Sequence, residues 1–210
     1  MRQPAATSTN SPPKAVEQVR KLVESDEVLA VFNPLGTPSN TAIQKYLNSK
    51  KVPQLFVATG ATKWNDAKNF PWTMGWQPSY RTEAGIYAKH LLQSAPGAKL
   101  AVLYQNDDFG KDYLIGLRDV LGPKFDQAVV KTVSYETTDP TVDSQVLSLQ
   151  GSGADALLTV PKSFGANAGL KVLALVAGMV AGVDSIDDMA ILRHGGMKKL
   201  FTGTYAPSTL

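Results

Sequence analysis

Between residues 15 and 160 the chain alternates two hydrophobic periodicities, and this alternation restricts its fold more than any other feature. The apolar runs VLAVF (28–32), QLFVA (54–58), KLAVLY (99–104), AVVKTVSY (128–135) and ADALLTV (154–160) are too short for helices and read as strands. Helical spacing fills the intervals at 15–25, 37–50, from Ser79 onward with Ile86, Leu91 and Leu92 as its apolar positions, at 109–121 and at 141–150. A strand, a crossover helix and a second strand lie parallel, with helices covering the sheet faces. An α/β fold with parallel sheets is therefore expected. The aromatic interval 63–80, holding Trp64, Phe70, Trp72 and Trp76, breaks the rhythm and divides it into two lobes, about 15–70 and 79–160.

Neither end continues this rhythm. Residues 1–13 are rich in Pro, Ser, Thr and Ala, so they are expected to be disordered, and no apolar run follows Arg2 to serve as the core of a signal peptide. After Pro161 the chain turns to Ala, Gly, Val and Leu, predicting two helices at 166–181 and 185–194 with Asp184 as an N-cap. The longest uncharged apolar stretch, 172–183, has 12 residues, where a bilayer span needs about 20, so a buried helix is expected there.

Composition narrows the function classes. With 43% hydrophobic and 19% charged residues in 210, the chain can bury a core and is neither a disordered polymer nor a coiled coil. A net charge of +3 without a basic tract gives no reason to expect a nucleic-acid partner. The absence of cysteine excludes thiol nucleophiles, disulfides and cysteine zinc sites, and leaves the compartment open.

In open α/β sheets, ligands bind outside the carboxyl ends of strands, where helix N-termini present unpaired N–H groups. Two loops at such ends carry hydroxyls. In NPLGTPSN, Gly36 permits close approach, and Thr37 and Ser39 stand at the start of the next helix; in ATGAT, Gly60 is followed by Ala61 and Thr62. Together these loops could hold the charged ends of an amino acid. Equally, Thr37 or Ser39 could cap its helix and Gly60 could simply make a turn. In the corresponding loop of the second lobe, Asn106-Asp107-Asp108-Phe109-Gly110, Asp108 reads as an N-cap, Asp107 as a turn former and Phe109 as the ligand contact. No catalytic, metal or cofactor site is legible. Gly151-Ser152-Gly153 precedes a strand instead of following one, no P-loop occurs, and His90 and His194 stand far apart without a motif around them.

The pieces AVEQVRKLVESDEVLAVFNPLGTPSNTA, VPQLFVATGATKW, TMGWQPSYRTEA, KLAVLYQNDDFGKDYL and VSYETTDPTVDSQV make residues 14–160 resemble the type I periplasmic substrate-binding proteins of ABC transporters, in the leucine-binding branch. The resemblance implies a partial form of a two-lobed fold that closes on an amino acid or similar small polar ligand and delivers it to a membrane permease. It also implies a periplasmic monomer without enzymatic activity. By the same resemblance Thr37 matches the hydroxyl that receives the ligand carboxylate, with Ser39 as its rival; Gly60, Ala61 and Thr62 match the second loop, and Phe109 an aromatic contact. Against that resemblance the chain is expected to lack the family's signal peptide, first βα units and closing elements, to bind no tighter than about millimolar, and to stay in the cytoplasm if expressed as written. The tail 166–210, above all SIDDMAILRHGGM, resembles part of an insertion-sequence transposase, without that family's catalytic acids. A transposase fragment acting on DNA and a ligand-sensing regulatory domain are the alternative functions.

Overall fold

The structure is a computed structural model that describes residues 11–160. Its elements in order are α1 (Pro12–Glu24), β1 (Val31–Phe32), α2 (Thr37–Lys50), β2 (Gln54–Val57), a 3₁₀ turn (Thr62–Asn65), β3 (Thr73–Gly75), α3 (Tyr80–Ser94), β4 (Leu100–Gln105), α4 (Asp108–Leu121), a second 3₁₀ turn (Gly122–Lys124), the single turn α5 (Phe125–Ala128), β5 (Val129–Tyr135), α6 (Asp143–Gln150) and β6 (Ala156–Val160). Two parallel sheets of three strands form, in the orders β1-β2-β3 and β5-β4-β6, so the α/β architecture is as the periodicity predicts. The expected helices at 166–181 and 185–194, the transposase-like stretch and residues 1–10 lie outside the described residues.

The described residues divide into two units, 11–96 with 106–125, and 97–105 with 126–160. In the first, α1 begins at Pro12, so residues 12 and 13 are helical where disorder was expected; proline suits the first turn because its missing N–H has no partner there in any case. Helices α1 and α2 bury Val19 against Ile43 and Leu47. β1 is two residues long where five were expected. The Val28 N–H is spent on the Leu22 carbonyl, 3.1 Å away, closing the end of α1, and Glu27 and Asn33 take left-handed backbone conformations on either side of the run. Leu29 is consequently 90% exposed.

The first sheet also contains a strand that the sequence hides. β3 pairs with β2 from within the aromatic interval, so this sheet runs past residue 70. Its buried residue is Thr73, and at Gly75 a Cβ would lie 2.9 Å from the Trp64 Cβ; Trp72, Met74 and Trp76 are exposed. The large apolar side chains thus mark the outer positions, the reverse of the usual pattern.

Helix α3 starts where expected, with Ser79 as N-cap accepting from the Thr82 N–H at 3.1 Å. Its buried face is Tyr80, Ala84, Gly85 and Ala88, whereas Ile86 and Leu92 face outward. Small residues are needed because α4 comes very close: a Cβ on Gly116 would stand 2.1 Å from the Arg81 carbonyl oxygen and 2.9 Å from the Ala84 Cβ. Both nitrogens of the Arg81 fork, Nε and Nη2, reach the Asp119 carboxylate, the second at 2.9 Å. This packing places α3 and α4 in the first unit, not with the strands of a second lobe spanning 79–160.

The second unit packs α6 on its sheet through Ala101, Leu103, Tyr135, Val142, Val146 and Leu149. Tyr135 is fully enclosed and donates its hydroxyl to the Val160 carbonyl at 3.1 Å, joining the ends of the outer strands β5 and β6.

Candidate functional site

All six residues singled out from the sequence fall in the first unit. Gly36 caps α2 with φ of 94°, a conformation that favours glycine, and no side chain caps this helix; Thr37 is therefore its first residue and not its cap. The Thr37 hydroxyl instead meets the Thr59 hydroxyl at 2.5 Å, and both residues are 1% exposed. Two hydroxyls carry two protons and only one lies between them, so the pair has a second proton to give to an acceptor. Ser39 is buried in the same first turn.

A buried amide network fixes this end of the sheet. Asn40 Nδ2 donates to the Pro34 and Gly36 carbonyls at 2.9 and 2.8 Å, and Asn40 Oδ1 accepts from Gln54 Nε2 at 2.7 Å. Gln54 Oε1 in turn accepts from Thr73 Oγ1 at 3.1 Å. Sequence reasoning passed over Asn40, Gln54 and Thr59. A polar residue opening an otherwise apolar strand, as Gln54 opens QLFVA, is the signal that could have found the network.

The second loop is shaped by Gly60, where a Cβ would lie 2.4 Å from the Pro78 carbonyl oxygen. Gly60 thus meets a close backbone approach beyond the needs of a turn, and its carbonyl accepts from the Tyr80 N–H at 2.8 Å. Ala61 is buried beside it. Thr62 gives both donors to one carboxylate on α4: its N–H reaches Asp112 Oδ2 at 2.7 Å and its hydroxyl reaches Oδ1 at 2.8 Å.

Phe109 is only 5% exposed, with its ring 4.6 Å from Tyr80 and 5.7 Å from Tyr113 between centroids. Phe109, expected as an aromatic ligand contact, is thus part of a buried aromatic nest that includes Tyr80, the partner of Gly60. Burial, reinforced by Glu83, pushes the Tyr113 phenol well above its usual range. The N-cap role expected of Asp108 falls to Asp107. Asp107 caps α4 by accepting from the Gly110 N–H at 3.2 Å, and Asp108, the first helical residue, pairs with Lys63 at 2.7 Å. An acid at either position favours a helix N-terminus, which is why the sequence could not order them.

This end of the first unit thus brings together paired buried hydroxyls, a glycine loop and a buried aromatic nest. Among the described residues, His90 is exposed, no group of three candidate metal ligands gathers, and no helix is long and apolar enough to cross a membrane.

The profile of the periplasmic binding protein family matches residues 8–179, running past Val160 into the segment read as a separate tail. Among solved structures, a substrate-binding periplasmic protein from Ralstonia solanacearum is 21% identical with a TM-score of 0.68, over 83% of this chain and 47% of its own. An ABC transporter solute-binding protein from R. palustris, in complex with 4-hydroxybenzoate, is 17% identical with a TM-score of 0.69, over 84% and 47%. A possible leucine/isoleucine/valine-binding protein from Rhodopirellula baltica SH 1 is 21% identical with a TM-score of 0.66, over 83% and 47%. The chain spans about half the length of these structures, and their likeness shows the fold. No curated protein matches the chain.

Proposed function

Because the chain belongs to the periplasmic binding protein family, we propose that it serves as the solute-binding component of an ABC transporter, holding the carboxylate of an amino acid or similar small acid in the periplasm for a membrane permease. One observation carries this reading: the Thr37 and Thr59 hydroxyls meet at 2.5 Å, at the start of a helix whose N-cap is a glycine and just beyond the carboxyl end of β2. A carboxylate is the ligand that this donor pair and the positive end of α2 would favour. Relatives of this fold are described with 4-hydroxybenzoate and as a possible branched-chain amino-acid binder, so both kinds of acid are candidates. The aromatic nest of Tyr80 and Phe109 beside Gly60 favours an aromatic acid as the second reading. A transposase fragment would bind duplex DNA in a salt-dependent gel shift, and genomic neighbours that encode no permease or ATPase would favour a sensory domain.

The test is an amide-resonance titration with leucine and benzoate against leucinamide and benzamide, molecules of nearly the same shape that lack the carboxylate charge. The acids are expected to bind at about millimolar, roughly −4 kcal/mol, and at least about tenfold more tightly than the amides, with shifts at Thr37 and Thr59. Equal affinity for acids and amides, or no response to any acid, would refute the carboxylate reading.

A further inference from the structure

We propose that Asp112 is a specificity-determining residue of this site: its carboxylate fills a second anion seat at Thr62, so that solutes bearing one acid group are accepted and those bearing two are rejected. This rests on the carboxylate-binding function proposed above.

Thr62 presents a backbone N–H and a hydroxyl side by side, a donor set suited to a carboxylate, in the same loop as Thr59. Asp112 takes both, with one oxygen 2.7 Å from the N–H and the other 2.8 Å from the hydroxyl. It is a carboxylate only 6% exposed, and among the described residues no cation stands within ion-pair distance of it. Its neighbour one turn earlier, Asp108, is paired with Lys63 at 2.7 Å, and Arg81, which feels the Asp112 charge, spends its hydrogen bonds on Asp119, so Asp112 keeps no ion pair of its own. Burying an unpaired charge is unfavourable, and a neutral Asn or Ser could accept the Thr62 hydrogen bonds without it. What the charge adds is repulsion. A solute acid group seated by Thr37 and Thr59 meets no opposing charge from the threonines themselves, whereas a second acid reaching Thr62 finds both donors occupied and a negative charge in place.

The experiment titrates wild type, Asp112→Asn and Asp112→Ala with leucine and glutamate, and with benzoate and terephthalate, while following the Thr62 amide resonance. In wild type the monoacids are expected to bind at least about tenfold more tightly than the diacids, with the Thr62 resonance unmoved. In Asp112→Asn that ratio is expected to collapse to within about threefold, and in Asp112→Ala the diacids shift Thr62. Asp112→Asn keeps an accepting oxygen, so it covers the case in which the alanine variant does not fold. An unchanged ratio in a folded variant would show Asp112 to be a structural clasp alone and overturn the proposal. Wild type that binds no monoacid would overturn the functional reading and this inference with it.

Discussion

At Gly116 there is no room for a methyl group, since it would lie 2.1 Å from a backbone oxygen of the facing helix, an atom that cannot swing aside. Gly116→Ala is therefore expected to destabilise the protein by about 1–3 kcal/mol or more through overpacking. Gly97→Ala, with φ of 84° and open space around it, carries only the left-handed backbone penalty of about 1–2 kcal/mol. Urea denaturation of the two variants should rank them in that order, and equal midpoints would contradict the close α3 and α4 contact. Tyr113 gives a pH prediction. Burial raises its phenol above the ordinary 10.0 in the folded state, so the neutral form is favoured there. That contribution is fully present below pH 10.0 and is lost as pH climbs from there toward the folded-state value. Unfolding free energy should fall as pH rises above 10.0, and Tyr113→Phe should flatten the fall; an unaltered slope would show that the phenol is solvated. At this scale the sequence was a fair guide to location and a poor one to role. Thr37, Gly60 and Thr62 belong to loops at the end of one sheet, but their partners Thr59 and Asp112 lay 22 and 50 residues away, beyond what local spacing reports.

Among the elements, those with strong local signals were legible. α2 runs from Thr37 to Lys50 as Thr-Pro-Ser and the following spacing predict, and α3 opens at Ser79 as the cap chemistry predicts. β1 and β3 were not, because apolar content there does not follow burial: Leu29 and Phe32 are exposed in a run that reads as a strand, and Trp72 and Trp76 flank a strand whose one buried residue is Thr73. The outward Ile86 of α3 misled for a related reason, since its buried face must be narrow enough for α4. The α1 and α2 pair allows a direct check. Leu47 is fully buried between Val19 and Ile43, so Leu47→Ala should lose about 2–5 kcal/mol by urea denaturation. A loss below about 1 kcal/mol would mean that these helices do not share a tight core.

For the whole molecule, the alternation of strands and helices was enough to yield two parallel sheets, and it could not say how the helices distribute between units. That depends on long-range contacts such as Arg81 with Asp119 and Thr62 with Asp112, which tie α3, α4 and the second loop into the unit of the first sheet. The candidate binding residues consequently gather in one unit. Their central claim is that the Thr37 and Thr59 hydroxyls act as one donor set for a solute carboxylate, and a double-mutant cycle tests it most directly. Benzoate and leucine are titrated against wild type, Thr37→Val, Thr59→Val and the double variant, each checked for native stability. Each single variant should lose at least about fivefold in affinity, and the double variant should lose little more than either one, because removing one hydroxyl already breaks the pair. Full additivity of the two losses, or affinities equal to wild type in all three variants, would contradict the account.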